Sequence, residues 1–266
     1  MYSTFQLTKK YLNYYLHASN GKGHGMHSPF VFDFIQNVLN NKKHFEHPEE
    51  IELLRSALLT DKREITLQDL GAGSRSGTTS SVKKVSSIAR TSLKPPKYSQ
   101  LLYRLTKHYK PHTILELGSS LGISTAYMAK ANPTADVTTI EGSEQVRELA
   151  LENFEKLKIS NISSILGNFD DVLQITIDNK KTIDLAYIDG NHRYYPTINY
   201  FRALLKKAGN NSIFIFDDIY WSDEMEKAWN EIKQHPEVQY SIDIFFLGFV
   251  FFKKEFKIKQ EFKIRF

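Results

Sequence analysis

The sequence predicts an α/β fold: a doubly wound sheet of seven strands, five parallel plus a C-terminal antiparallel hairpin, with an N-terminal helical extension. Two observations carry this reading. From Pro111 onward, short apolar runs alternate with segments of helical period, the pattern of successive βα units that builds a parallel sheet with helices on both faces. After the fifth unit the alternation stops. Two further apolar runs follow, separated by little more than Leu247-Gly248, a link so short that it forces an antiparallel hairpin.

The elements follow in order. Thr4–His17 carries Leu7, Tyr11, Tyr14 and Tyr15 at helical spacing, and Gly21, Gly23 and Gly25 break it. A second helix over 29–39 has Ser28 as N-cap and Pro29 at its first position. A third, over 48–59, opens with Glu49, Glu50 and Glu52 at its positive end. The Gly/Ser/Thr-rich stretch 71–81 reads as a loop. Pro95-Pro96 then launches a helix over 97–108 with Leu101, Leu102 and Leu105 on one face. The chain thus divides into an extension, 1–94, suited to lid, substrate or dimer contacts; a core, 95–253; and a basic Phe/Lys tail, 254–266.

Within the core, strands are expected at Thr113–Leu117, 137–140, Ile162–Leu166, Ile183–Ile188 and 212–216, as near-continuous apolar runs suited to burial on both faces. Helices are expected over 124–130, 144–157, 197–207 and Asp223–Gln234. The last gathers Met225, Ala228, Trp229 and Ile232 behind a Ser222 cap and stops before Pro236. Runs 240–246 and 249–253 make the hairpin. The tail repeats Glu255-Phe-Lys-Ile-Lys and Glu261-Phe-Lys-Ile-Arg with period-2 alternation, which reads as a charged edge strand, a subunit contact being the alternative.

Composition narrows the class. With 41% hydrophobic and 24% charged residues the chain is globular rather than disordered. No apolar run approaches a membrane span, and the first 20 residues lack the core of a secretion signal. Zero cysteines exclude disulfides, thiolate metal sites and cysteine nucleophiles, and suit a cytoplasmic location. A net charge of +5 is mild, with much of it in lysines near the C-terminus.

Chemistry concentrates at the ends of the expected strands. Glu116-Leu-Gly-Ser-Ser-Leu-Gly122 reads as a strand, a tight glycine turn and a helix start. Gly118 and Gly122 let the backbone approach a ligand, and the helix N-terminus offers free N–H groups to an anion. The next apolar run ends in Glu141, placed as in a Rossmann-like sheet to accept both hydroxyls of a ribose. The remaining strand ends carry Asp170, Asp189 and Asp217-Asp218. Acids on one rim with no lysine or arginine among them repel one another unless a cation binds. S-adenosylmethionine, with its sulfonium and ammonium groups, is one such cation, and a divalent metal is another. A nicotinamide domain would use a sixth parallel strand, which the hairpin replaces.

Four stretches carry a family resemblance: Ile114-Leu-Glu-Leu-Gly-Ser-Ser-Leu-Gly-Ile-Ser-Thr125, Thr139-Ile-Glu141, Leu185-Ala-Tyr-Ile-Asp-Gly-Asn-His192 and Ile215-Phe-Asp-Asp218. In that order and spacing, 95–253 resembles a class I S-adenosylmethionine-dependent methyltransferase, in the branch of the catechol and caffeoyl-coenzyme A O-methyltransferases. The resemblance implies a cofactor set of Glu116, Gly118, Ser119, Gly122, Ser124, Glu141, Gly142, Asp170 and Asp189. In it Ser124 meets the cofactor carboxylate, Glu141 the ribose and Asp170 the adenine amine. It also implies a magnesium or calcium site at Asp189, Asp217 and Asp218, where hard carboxylate oxygens suit such a cation. Asp218 stands where the family has asparagine, a change that tightens a metal or raises one carboxylate's pKa. His192 stands where the catechol enzyme has its lysine base; with Asp189 it forms the expected catalytic pair. The alternative for His192 is packing against Tyr194 or Tyr195.

Other motifs have blander readings. Asp69-Leu-Gly-Ala-Gly-Ser74, with Gly77, mimics a glycine motif but lacks an acid-ended strand at the proper distance. His24-Gly-Met-His27 reads as a turn, with a substrate-facing lid as its functional alternative, and Trp221 as core or as the roof of an acceptor pocket. Three functions remain open at this point. The first is O-methylation of a small hydroxylated acceptor. The second is methylation of RNA, suggested by a pI near 9.0 and by Lys83-Lys84, Arg90, Lys94 and Lys97. The third is a catalytically silent cofactor-binding interaction protein. A homodimer is compatible with each.

Overall fold

The structure is a computed structural model and describes residues 1–41, 48–68 and 80–266. In chain order its elements are α1 (Thr4–His17), α2 (Pro29–Phe34) running into a π-helical turn (Ile35–Leu39), α3 (Glu49–Leu58), β1 (Glu64–Gln68), β2 (Ser80–Lys84), α4 (Val85–Ser92), α5 (Pro96–Tyr109), β3 (Thr113–Leu117), α6 (Ile123–Ala131), β4 (Asp136–Glu141), α7 (Glu144–Lys156), β5 (Ile162–Leu166), α8 (Phe169–Asp178), β6 (Ile183–Ile188), α9 (Tyr194–Leu205), β7 (Ala208–Asp217), α10 (Asp223–Gln234), β8 (Tyr240–Asp243), β9 (Leu247–Phe251) and β10 (Gln260–Lys263). They fall into two compact units, one from 1–40 with 173–266, the other from 41–172. Among the described residues no helix is long and apolar enough to cross a membrane.

In the contiguous unit, β3, β4 and β5 pair in parallel and in that order. β3 and β4 are buried along almost their whole length, as their apolar runs require, while β5 is half exposed and forms the edge. Helix α5 opens on Pro96 and ends at Lys110, in the left-handed conformation. The core gathers Leu121, Ile123, Ala126 and Tyr127 with Val146 and Leu149 of α7 and Val85, Ile88 and Ala89 of α4. Periodicity had given no hint of the antiparallel β1–β2 pair. Its strands are Glu64-Ile-Thr-Leu-Gln and Ser-Ser-Val-Lys-Lys, polar and mostly solvent-facing, so alternation is weak. Ser80 and Ser81, expected in a loop, belong to β2, while the rest of that loop, 71–79, and the glycine motif from Asp69 through Ser74 to Gly77 lie outside the described residues.

In the discontinuous unit, β6 and β7 pair in parallel, β7 and β9 antiparallel, and β9 and β8 antiparallel. The expected hairpin is therefore present, but its link is 244–246: Leu247 and Gly248, expected in the connection, belong to β9, where a Cβ at Gly248 would lie 2.6 Å from Cη2 of the buried Trp229. The first strand of the hairpin stops at Asp243 rather than 246. The Asp243 carboxylate accepts the Phe245 N–H at 2.8 Å, and Phe245 adopts φ 75°, which turns the chain. The tail forms β10, an added edge strand parallel to β8.

Local signals account for most helix boundaries. Ser3 and Gln6 form a reciprocal capping box on α1, and the Ser222 hydroxyl accepts the Met225 N–H on α10. The helix expected over 29–39 ends in a π turn, with Asn40 N–H reaching Ile35 C=O at 2.9 Å. Both ends of this unit are knitted together. Tyr14 donates to the Ile264 carbonyl, Ser19 N–H to Lys263 C=O at 2.8 Å, and Arg265 N–H to Ser19 C=O at 3.1 Å.

Candidate active site

The glycine turn is built in the contiguous unit. Leaving β3, the chain is left-handed at Gly118 (φ 97°), Ser120 (φ 46°) and Gly122 (φ 81°). Gly118 N–H donates to Ile140 C=O at 2.9 Å, so the turn runs beside the end of β4. There Glu141 grips both neighbouring loops: one oxygen accepts Ser120 N–H at 2.9 Å, the other Ser143 N–H at 3.0 Å. A carboxylate has about four lone-pair sites, so the group type at this position can accept hydroxyls as well as N–H groups. Gly142 is the link between these two grips.

Glu116 behaves differently from its expected role. It has no exposed surface, and it accepts hydroxyl hydrogen bonds from Ser124 at 2.6 Å, Thr139 at 2.7 Å and also Thr125. A carboxylate stripped of water needs such compensation. Its side chain is a brace that pins the first turn of α6 and β4 to β3, so it acts on the turn indirectly. Ser124 spends its hydroxyl proton on this brace, leaving its backbone N–H to face an anion. Thr125 and Thr139, which sequence reasoning missed, complete the brace; two hydroxyls near an acid-ended strand were the available signal.

Helix α6 begins at Gly122, which has no side chain to cap it, so its first-turn N–H groups lack a side-chain acceptor. Next to it the buried Ser119 hydroxyl makes no hydrogen bond among the described residues. An orphaned hydroxyl and uncapped N–H groups in one left-handed turn, with Glu141 beside them, fit a ligand bearing a carboxylate and a ribose. Asp170 is exposed in the first turn of α8, its N–H on Asn168 Oδ1 at 3.2 Å.

In the other unit, β6 ends one residue before Asp189. Two consecutive left-handed residues, Asn191 (φ 63°) and His192 (φ 23°), fold the chain back. They bring His192 Nε2 to 3.6 Å from Asp189 Oδ1. Tyr187 donates to Asp189 Oδ2 at 3.1 Å, and Asn191 donates to Tyr200 at 2.9 Å. Asp217, at the end of β7, is 1% exposed, and one donor atom each from Asp189, His192 and Asp217 lies within 4.8 Å of the others. This set of two carboxylates and one imidazole could hold a divalent cation. Asp218, expected as the third ligand, is not among these three; it follows the last residue of β7 and adopts φ 52°. Trp221 is 40% exposed, its N–H on Asp218 C=O at 2.8 Å and its C=O on Tyr2 N–H at 3.0 Å. His24 and His27 take no part in any such grouping among the described residues.

Residues 115–219 match a protein family described as a methyltransferase domain. Among solved structures, the chain is similar to the SAH-bound methyltransferase PaMTH1 of Podospora anserina, at 17% identity and TM-score 0.55, over 62% of this chain and 82% of that one. It is also similar to an O-methyltransferase of Bacillus cereus in complex with SAH, at 19% identity and TM-score 0.54, over 84% and 97%. A curated relative, the tRNA (guanine-N(7)-)-methyltransferase of Mycoplasma mobile, is 30% identical over 80 residues, 30% of this chain. The chain spans 40% of that relative's length. The fold is thus the Rossmann-like methyltransferase fold. The matched stretch, which begins inside β3 and ends just past Asp217-Asp218, is similar to a methyltransferase domain.

Proposed function

We propose that this protein transfers a methyl group from S-adenosylmethionine to a hydroxyl oxygen of a small acceptor. The observation that carries the reading is the grip of Glu141 on the N–H groups of Ser120 and Ser143. It sets an acid of the type that accepts ribose hydroxyls close to the uncapped start of α6. When bound, the cofactor supplies an electrophilic methyl carbon on a sulfonium. Glu141 would hold its ribose, the N–H groups of α6 and the Ser119 hydroxyl its carboxylate, and Asp170 its adenine amine. Glu116 keeps the turn in place.

The transfer forms a carbon–oxygen bond as the carbon–sulfur bond breaks, and the acceptor's proton must leave. His192 takes it at Nδ1 while Nε2–H faces Asp189, whose negative charge stabilises the imidazolium. Asp189 and Asp217 would hold a divalent cation, which supplies a lowered acceptor pKa and a fixed oxygen. Calorimetric titration with S-adenosylmethionine, with and without magnesium, calcium and a chelator, tests both parts. No heat with the cofactor in any condition defeats the whole proposal, and identical curves with and without metal in the presence of a phenolic acceptor defeat the cation.

A second reading, methylation of RNA, is favoured by one observation: Lys83, Lys84, Arg90 and Lys97 are all exposed. Binding to bulk RNA that falls steeply with salt supports it; binding insensitive to salt, or none, rejects it.

A further inference from the structure

Helix α1 carries more apolar surface than the unit uses. Leu7 and Tyr14 face inward, Tyr14 against Phe245 at 5.3 Å between ring centroids. At about 100° per residue, Phe5, Leu12 and Leu16 share a stripe roughly 40° wide on the opposite side. They are 79%, 56% and 74% exposed, with Tyr15 half exposed beside them and Met1 at the helix entry. Single exposed apolar residues need no explanation, but a contiguous stripe marks an interaction surface.

The stripe is self-complementary when reversed. In an antiparallel pair with its two-fold between Thr8 and Lys9, Phe5 of one helix meets Leu12 of the other, Leu16 faces the Met1 entry, and Lys9 meets Thr8 rather than itself. Charge has the same symmetry. At the N-terminal end of α1 lies the acidic first turn of α10, with the Tyr2 hydroxyl donating to Asp223 and Glu226. At the other end are His17 and Arg265, whose guanidinium stacks over the Tyr15 ring at 4.5 Å. Reversal puts basic end on acidic end; a parallel pair would put like on like. The stripe with Tyr15 and Met1 exposes on the order of 600 Å², judged from the area such side chains carry. The standard stable interface takes about 800 Å² per partner, and the charged ends supply the difference.

We propose that a second copy of this chain closes this face, α1 packing antiparallel on α1 across a two-fold axis. Sedimentation velocity of the full chain from about 1 to about 100 µM should show a species of twice 30.8 kDa. Combined Leu12→Glu and Leu16→Glu substitutions, both at exposed positions, should weaken it at least tenfold with the far-UV circular dichroism unchanged. Asp223→Arg and Arg265→Glu should each weaken the dimer several-fold and together restore it. A wild-type monomer throughout this range overturns the proposal, as does a dimer that survives the Glu pair. If the protein stays monomeric and sediments with phosphatidylserine vesicles in a Leu12-dependent way, the face belongs to a lipid surface instead.

Discussion

Substituting alanine for Gly122 probes whether the turn is shaped for close approach. The residue holds φ 81°, where a Cβ costs about 1–2 kcal/mol. That Cβ would also lie 2.5 and 2.8 Å from Cε1 and Cζ of Phe154 and 3.3 Å from Cβ of Ala150. Phe154 is 4% exposed and has nowhere to swing, so overpacking adds about 1–3 kcal/mol. The sum, about 2–5 kcal/mol, lowers Tm by roughly 4–20 °C at about 2–4 °C per kcal/mol for a chain of this size. Gly25 isolates the two contributions: it holds φ 76° but an added Cβ there meets nothing within 4 Å. Gly25→Ala should therefore cost the conformational part alone. Urea unfolding of both variants, with S-adenosylmethionine titrated calorimetrically into Gly122→Ala, reads both consequences, since the displaced turn should also bind the cofactor more weakly. Equal losses for the two variants would refute the close-contact explanation.

Three other outcomes are expected. Glu141→Gln turns one acceptor into an NH2 that faces the N–H of Ser120 or Ser143, at about 1.5–3 kcal/mol; cofactor Kd should rise roughly ten- to a hundredfold, and an unchanged Kd would remove Glu141 from the site. His192→Gln should slow methyl transfer by about 10²–10⁴ while leaving cofactor Kd as it was, and an undiminished rate excludes it as the base. Asp243 has its carboxyl raised above the usual aspartate range by burial. Its charged form is thus disfavoured in the fold, and wild-type stability falls as pH rises through the unfolded and then the folded pKa. Asp243→Asn does not titrate, so its stability relative to wild type should improve as pH rises above the ordinary aspartate range; a difference constant with pH contradicts the assignment.

Elements were legible where burial dictates pattern. The runs at Thr113–Leu117 and Ile183–Ile188 became β3 and β6 with the bounds expected of them, because strands covered on both faces read as near-continuous apolar runs. β1, β2 and β10 escaped or stayed ambiguous because edge and hairpin strands in water carry no such constraint. Helix α8 hid because Asp170 read as strand-end chemistry before it read as part of a helix start. At the site, residue types were readable but roles were not: nothing in Glu116 and Glu141 says that one is fully buried under three hydroxyls and the other clasps two loops. The place of His192 in the Asp189–Asp217 group depends on φ 63° and 23° at two consecutive residues, a backbone choice that neither asparagine nor histidine announces.

The knitting of Ser19 to residues 263–265 governs the order in which the molecule can assemble. Residues 41–172 make up one compact unit from a single continuous stretch of chain. The other unit cannot close until its opening helix meets a strand synthesised more than 200 positions later, a separation that makes loop closure slow. Until then the inward face of α1, with Leu7 and Tyr14, stays uncovered on a half-made unit, and a shortened C-terminus would remove the Ile264 carbonyl that Tyr14 needs.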